Sequence, residues 1–173
     1  VCNMRASILL IGPILARFGE VSCTFPGGCI IGKRPIDAHT VGFRQLGAQI
    51  KDDSSINIKL KKPEDKVVIL PEMSVTATEN LIMASVLCKG KVEIHLAACE
   101  PHVVDLCKFL NCCGARISGI GTHKLTIQGV DHLLGSNYTI TTDYLEVGTL
   151  SLAAALTRGE VSILDVNPDD LEM

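Results

Sequence analysis

Three segments of the chain carry apolar residues at helical spacing, and each is followed by the same pattern. A basic residue stands near the end of the segment, a glycine comes next, and alternating apolar and polar residues follow. A cation suits the carbonyl end of a helix, glycine suits the left-handed position beyond it, and alternation is typical of a half-buried strand. We therefore predict three helices that end in left-handed glycines, Gly19, Gly90 and Gly159, each before a strand.

A second element follows the first two strands and begins near a proline. Pro35 precedes a run that ends at Gly47, and Pro101 precedes one that ends at Gly114. Proline is favoured in the first turn of a helix and glycine just past the last, so both runs are predicted to be helices that lead into strands. A third copy starts at Pro168. The repeat is about 70 residues long, and we expect a chain that begins without Met and stops inside the third copy to be a piece of a longer protein.

Shorter patterns complete each repeat. The sequence Thr76-x-x-Glu79 is a candidate capping box at the start of an apolar helix. A helix, a strand, a second helix and further strands form an α/β unit, whose apolar faces need neighbouring copies to cover them. Further strands are predicted at 56–60, 67–70, 124–128 and 138–141.

Composition and charge restrict the partners. The chain has 173 residues, of which 47% are hydrophobic and 20% charged, which is typical of a soluble globular protein. A net charge of -3 gives no broad attraction for nucleic acid or an anionic membrane, so an anionic substrate needs a local cluster of cations. The apolar stretch 8–16 is interrupted by Gly12 and Pro13 and is shorter than the roughly 18 residues of a membrane span. With no signal-peptide pattern at the start, we expect a cytoplasmic protein.

The chain contains eight cysteines but no C-x-x-C pair, so no zinc site is predicted. We expect no other metal and no cofactor. Cys88, Cys107 and Cys113 stand among valine, leucine and alanine, where a free thiol behaves as a small hydrophobic side chain.

Cys29 has different surroundings, because Gly27 and Gly28 precede it, Gly32 follows it, and two cations, Lys33 and Arg34, come next. Glycines leave the thiol accessible, and cations lower a thiol pKa that starts at about 8.5. The cations also suit phosphate, although no P-loop pattern is present. The residues alone leave two interpretations open: a surface loop whose cysteine fills space, or a flexible loop with a reactive thiol and an anion site.

A series of short motifs is spread in order over essentially the whole chain. They are Met4-Arg5-Ala6-Ser7, Gly12-Pro13-Ile14-Leu15-Ala16-Arg17-Phe18-Gly19, Pro26-Gly27-Gly28-Cys29, Arg34-Pro35-Ile36-Asp37, Ser74-Val75-Thr76-Ala77-Thr78-Glu79-Asn80, Glu100-Pro101-His102-Val103-Val104-Asp105 and Glu146-Val147-Gly148-Thr149. In spacing and order they resemble the UDP-N-acetylglucosamine 1-carboxyvinyltransferases of the enolpyruvyl transferase family.

The resemblance implies an inside-out α/β barrel fold, with two domains built from repeated units and an active site between them. Residues 1–141 then correspond to part of the first domain, including the catalytic loop, and residues 142–173 to the start of the second. The chain would make up about two fifths of the enzyme. The family's N-terminal lysine and asparagine, its catalytic aspartate and its C-terminal arginines have no counterpart here, so we expect this chain alone to be inactive.

The activity implied is transfer of the enolpyruvyl group of phosphoenolpyruvate to the 3-hydroxyl of UDP-N-acetylglucosamine, with release of phosphate. This is the first committed step of peptidoglycan synthesis and needs no cofactor. Cys29 matches the family's proton donor, which is also the residue that fosfomycin alkylates. Arg34 matches the loop arginine that contacts phosphate, and Arg5 matches another arginine that contacts substrate.

The resemblance also places a nucleotide site on two segments. Ser74 and Val75 match a segment that contacts the diphosphate, and a helix N-terminus there favours negative charge. Glu72 stands where many members have a basic residue, and Thr76 where glycine is usual, so this sequence departs from the family pattern beside the diphosphate. Asp37 suits a uracil N–H, or alternatively the N-cap of a helix. The stretch that holds the uridine end is matched by Pro35, Ile36, Asp37 and Ala38.

Other functions stay open from the sequence. The departures at Glu72 and Thr76 and the missing part of the site leave room for a non-catalytic paralogue or an isolated interaction fragment. The sister enzyme, 3-phosphoshikimate 1-carboxyvinyltransferase, lacks the loop cysteine. The expected partners are UDP-N-acetylglucosamine, phosphoenolpyruvate, and either a second chain or the missing half of the same protein.

Overall fold

The computed structural model describes residues 4–27, 35–51 and 55–171. Contacts divide the chain into two compact units, Val1–Ser136 and Asn137–Met173. The domain boundary predicted after residue 141 stays a prediction. Within the described ranges, no helix has both the length and the apolar character needed to cross a membrane.

The first repeat of the larger unit combines three helical segments with a small antiparallel sheet. A 3₁₀ helix, Arg5–Leu10, runs directly into α1, Ile11–Phe18, and α2 spans Asp37–Leu46. The strands pair antiparallel in the order β1-β3-β2. They are β1 (Glu20–Cys23), β2 (Gln49–Lys51) and β3 (Ile56–Lys59).

The second repeat has the same strand order with one strand added. The order is β4-β5-β7-β6, in which β5-β7-β6 corresponds to β1-β3-β2, and β4 pairs parallel to β5. This correspondence of order and direction confirms the predicted repeat of helix-strand units for its first two copies. The elements are β4 (Lys66–Ile69), α3 (Val75–Ser85), β5 (Lys91–His95), α4 (Pro101–Cys112), β6 (Arg116–Ser118) and β7 (Lys124–Gln128).

The core lies between these sheets and helices, and α3 is its central element. Ala77, Leu81 and Ile82 on α3 are fully buried. A helix that is apolar on most of its surface is stable only when other elements cover it, and α3 packs against α1, α2 and α4. On β3, Ile56 and Ile58 are buried while the residues between and after them are exposed, as the predicted alternation requires.

The predicted glycine positions are confirmed at three helix ends. Gly19 after α1, Gly47 after α2 and Gly114 near the end of α4 have φ values of 76, 106 and 95°, in the left-handed region. The backbone N–H of Gly19 donates to the Leu15 carbonyl at 2.9 Å, so the glycine closes the last turn of α1.

The same prediction is wrong for Gly90 and Gly159, neither of which has a positive φ. The helix α3 already ends at Ser85, and Gly90 instead lies against Asp65, whose Oδ1 would be 2.3 Å from an added Cβ. That Oδ1 accepts a hydrogen bond from the Lys91 N–H at 2.7 Å. Gly90 is therefore required by a close approach, not by a left-handed backbone.

In the smaller unit, α5 spans Tyr144–Thr157 and begins at Asp143, whose Oδ1 accepts a hydrogen bond from the Leu145 N–H at 2.8 Å. Arg158 takes the left-handed position predicted for Gly159, with φ 52°. The third predicted proline-led helix is a 3₁₀ helix, Pro168–Leu171.

The strand predicted at 138–141 and the strand predicted to follow Gly159 do not form in the described part of this unit. By the repeat they correspond to β4 and β5. In the larger unit β5 is paired on its other side by β7, and the described residues of the smaller unit contain no counterpart of β7. A strand exists through its partners, so alternation alone was not sufficient here.

Candidate active site

The helix α2 begins at the predicted place, but its N-cap is Ile36 and not Asp37. Asp37 is the first helical residue and is exposed, and within the described residues its carboxylate has no hydrogen bond or ion pair. The alternative of an Asp37 N-cap is therefore wrong. A carboxylate in this position remains available to accept a hydrogen bond from an N–H group of a ligand.

Pro35, like Asp37, is exposed, whereas Ala38 is buried. The N–H groups of His39 and Thr40 donate to the Ile36 carbonyl, which leaves the N–H of Ala38 among the donors that the first turn of a helix does not pair. Any contact of Ala38 with a ligand would use this N–H group, because its methyl group packs in the core.

Arg5 contacts the start of α2 across 30 residues of sequence. Its Nη2 donates to the Pro35 carbonyl at 3.1 Å. Two predicted substrate-contacting positions, Arg5 and Pro35, are thus brought together.

The helix α3 has Ser74 as its N-cap and Val75 as its first residue. The Ser74 carbonyl accepts hydrogen bonds from the N–H of Thr78 at 2.9 Å and from its hydroxyl at 2.8 Å, while the Ser74 hydroxyl makes no capping bond. The predicted capping box at Thr76 is therefore wrong, because the helix starts two residues earlier and Thr76 lies inside it. Glu72 is exposed just before this N-terminus.

A buried polar network joins the starts of these helices. His39 on α2 has its Nε2 3.1 Å from the Thr76 hydroxyl and its Nδ1 3.1 Å from the Asn80 side-chain nitrogen, both on α3. Asn80 also donates to the Ile8 carbonyl at 2.9 Å and accepts from the Gly12 N–H at 2.7 Å. His39 is 4% exposed and Asn80 is fully buried, so every bond here replaces one lost to water.

The partners determine the protonation of His39. The Asn80 nitrogen can only donate, so Nδ1 of His39 accepts and the ring proton lies on Nε2, where it is donated to Thr76. Burial, followed by the positive charge of Arg5, lowers the pKa of His39 to about 4. The imidazole is therefore neutral near neutral pH and serves as a fixed link between α2 and α3.

The sequence did not predict that His39 and Asn80 join the segments of the candidate site. Both residues lie in quoted motifs, yet the bonds that they make join positions 41 and 68 residues apart. The network fixes three segments against one another: the 3₁₀ helix with Arg5, the start of α2 with Pro35, Ile36, Asp37 and Ala38, and the start of α3 with Ser74 and Val75.

Two predicted site residues, Cys29 and Arg34, lie outside the described residues, and their roles stay predictions. The cysteines predicted to be small hydrophobic residues are buried: Cys88, Cys107 and Cys113. Burial raises the pKa of the Cys107 thiol to about 12 and also raises that of Cys88, which suppresses the reactive thiolate at both positions.

The whole chain, residues 1–173, matches the family model of EPSP synthase (3-phosphoshikimate 1-carboxyvinyltransferase). The chain belongs to this family. Two solved enzyme structures have the same fold as this chain. The enolpyruvyl transferase NikO from Streptomyces tendae has a TM-score of 0.68 at 18% identity and covers 87% of this chain and 36% of its own. An EPSP synthase from Acinetobacter baumannii has a TM-score of 0.68 at 20% identity, with 96% of this chain and 39% of its own covered. The predicted fold of enolpyruvyl transferases is confirmed.

The chain is also similar in sequence to several enzymes named UDP-N-acetylglucosamine 1-carboxyvinyltransferase. The protein from Coxiella burnetii (strain RSA 493 / Nine Mile phase I) is 51% identical over 99% of this chain. Those from Borrelia garinii subsp. bavariensis and Treponema pallidum are 50% and 49% identical over 98%. In each case the chain spans 40% of the relative's length.

Proposed function

We propose that the protein to which this chain belongs transfers the enolpyruvyl group of phosphoenolpyruvate to the 3-hydroxyl of UDP-N-acetylglucosamine. The observation that carries the proposal is the identity of 51% over 99% of the chain to an enzyme of that name. The solved enzymes that share the fold are 18 to 21% identical, and that level supports the fold alone. The reaction would take place in the cytoplasm as the first committed step of peptidoglycan synthesis.

The chemistry requires an acid and a group of cations. The sugar hydroxyl adds to C2 of phosphoenolpyruvate while C3 gains a proton, and the tetrahedral intermediate then loses phosphate from C2 and a proton from C3. We assign the proton at C3 to Cys29 and contacts with the phosphate to Arg34, whose planar guanidinium can bind two oxygens at once. The base that takes the hydroxyl proton is not assigned to a residue of this chain.

The nucleotide would lie at the starts of α2 and α3. The first turn of each helix has N–H groups that the helix itself does not pair, and it carries the positive end of the helix dipole; both favour a diphosphate. Arg5 adds a full positive charge beside Pro35. The exposed carboxylate of Asp37 has the acceptor atoms that a uracil N–H requires. The negative charge of Glu72 would repel the diphosphate, and the Thr76 hydroxyl is hydrogen-bonded to His39.

A second candidate acceptor is shikimate 3-phosphate, which the name of the family model favours. The two acceptors are distinguished by one assay. The full-length protein is incubated with phosphoenolpyruvate and either UDP-N-acetylglucosamine or shikimate 3-phosphate, and phosphate release and product mass are measured.

Turnover with the sugar nucleotide alone is the expected result. Turnover with shikimate 3-phosphate would transfer the proposal to the sister activity. No turnover with either acceptor, in a protein that is folded by circular dichroism, would indicate a non-catalytic paralogue.

A further inference from the structure

A concavity of about 750 Å³ lies at the carbonyl end of α1. The candidate active site lies at the other end of α1, where Arg5 bonds Pro35 and Gly12 bonds Asn80. The end of α1, the end of β3 and the segment after β3 form its walls. Its volume is in the range of about 300–1,000 Å³ that small-molecule sites occupy. The proposed enolpyruvyl transfer does not use this region.

The walls carry five cations and a single acidic side chain, Glu20. Glu20 is paired with Lys59 at 3.1 Å. The other four cations have no ion pair within the described residues, although the chain as a whole has a net charge of -3. These four residues, called the cation cluster below, are Arg17, Lys61, Lys62 and Lys89.

Two sources of negative charge in the protein could balance cations here, but together they are too small to balance all four. The carbonyl end of a helix carries roughly half a negative charge, which one cation compensates. The carboxylate of Glu20 is already matched by Lys59. Four positive charges therefore remain around one concavity, and their mutual repulsion is relieved when an anion enters.

An aromatic ring stands beside these charges. Phe18 is 67% exposed, and the Arg17 guanidinium lies 5.2 Å from the centre of its ring. An exposed ring with a cation over one face can stack a planar group on the other face.

We propose that this concavity binds a small polyanion of three or four negative charges, with the chemistry of a triphosphate. The cation cluster would hold the charged groups. A nucleoside triphosphate and an inorganic triphosphate share this chemistry, and stacking on Phe18 distinguishes them.

The test measures binding of inorganic tripolyphosphate to the full-length protein by calorimetry at low and at physiological salt. We expect Lys62→Glu combined with Lys89→Glu to weaken binding at least tenfold, because two attractions become repulsions. Lys108→Glu, an exposed lysine on α4, is the matched control and should change affinity less than twofold. Arg34→Ala should leave this binding intact, which separates it from the proposed active site. Binding of adenosine triphosphate that weakens on Phe18→Ala would identify the nucleoside form.

Unchanged affinity in the double variant, or an equal loss in Lys108→Glu, would overturn the proposal. The milder pair Lys62→Gln and Lys89→Gln repeats the test if charge reversal prevents folding, and a smaller loss of affinity is expected, because the two attractions are removed without being replaced by repulsions. A single-stranded RNA of about 20 nucleotides that binds tenfold more tightly than tripolyphosphate through the same lysines would show that the ligand is a nucleic acid, against the proposal.

Discussion

The side-chain amide of Gln45 pairs with both backbone polar groups of Ile69. The Ile69 N–H donates to Oε1 at 2.7 Å, and Nε2 donates to the Ile69 carbonyl at 3.0 Å. Ile69 ends β4, the edge strand of the second sheet, and Gln45 is on α2 of the first repeat. The amide therefore takes the place of a neighbouring strand residue, and it joins the two repeats at an edge that would otherwise be open.

Replacing Gln45 by Ala should lower the free energy of unfolding by about 1–2 kcal/mol, since each hydrogen bond contributes about 0.5–1.5 kcal/mol net and this pair is exposed. Hydrogen exchange of the Ile69 amide should accelerate. Lys108→Ala, an exposed residue on α4, is the control and should change neither quantity. Unaltered exchange at Ile69 would show that the paired bonds do not protect this edge.

Asn80 should be more sensitive, because it is fully buried. Asn80→Ala leaves the Gly12 N–H and the Ile8 carbonyl without their partner, and an unpaired buried group costs about 1–3 kcal/mol. We expect unfolding to become easier by about 3 kcal/mol and, in the full-length protein, affinity for UDP-N-acetylglucosamine to fall. The control is Asn57→Ala, since Asn57 is exposed and its side-chain amide bonds Ser55 alone among the described residues. A variant as stable as the parent would contradict a structural role for the network.

His39 should make stability depend on pH. Its pKa is about 4 in the fold and 6.5 in its absence, so between these values the unfolded chain binds the proton and the folded chain does not. Stability is therefore fully present above pH 6.5 and falls as the pH is lowered towards 4, by about 3 kcal/mol from this group.

His39→Gln tests this dependence, because glutamine can accept from Asn80 and donate to Thr76 but does not titrate. Denaturant unfolding of both proteins between pH 4 and 7 should show a smaller fall for the variant. Parallel curves would mean that His39 does not carry the effect.

Gly12 and Gly42 are two buried helix glycines that face α3 and should respond differently to alanine. A Cβ at Gly12 would lie 2.4 Å from the Asn80 backbone oxygen, whereas a Cβ at Gly42 would meet the tip of the Leu81 side chain at 2.8 Å. Backbone cannot move aside as a leucine tip can. We expect Gly12→Ala to cost about 2–3 kcal/mol, at the upper end for overpacking, and Gly42→Ala to cost less. Equal costs by thermal unfolding would refute this distinction.

The elements that the sequence predicted well are those specified by neighbouring residues. Pro35 and Gly47, like Pro101 and Gly114, bracket helices because both act on the backbone within one turn. Gly90 carried the same signal, but the reason for the glycine is the close approach of Asp65. Asp65 also accepts a hydrogen bond from the Lys91 N–H, across 26 residues of sequence, so no local pattern includes both partners.

The candidate site was predictable in its segments and not in their assembly. Motifs placed Arg5, Asp37 and Ser74 on three separate elements, and the structure brings those elements together through a histidine and an asparagine whose partners are distant in sequence. Hydrogen bonds across 41 and 68 residues depend on the packing of α1, α2 and α3, which no short pattern specifies.

Cys29 should be the residue in the full-length protein that fosfomycin labels. Its flanking glycines and the nearby Lys33 and Arg34 favour an accessible thiolate, whereas burial raises the pKa of Cys88 and Cys107. Mass spectrometry should find the adduct on the peptide with Cys29, and labelling should be faster with UDP-N-acetylglucosamine, which we expect to close the loop. Cys112→Ser, which removes an exposed thiol, is the control and should label normally.

The proton-donor role of Cys29 is tested by two further variants. Cys29→Ser should abolish labelling and cut turnover severely, because an alcohol is a far weaker acid than a thiol. Cys29→Asp should also abolish the adduct but keep much more activity, because a carboxyl group can deliver the proton to C3. The serine variant separates the two interpretations of the loop: if it turned over at the parental rate, Cys29 would fill space and some other acid would protonate C3.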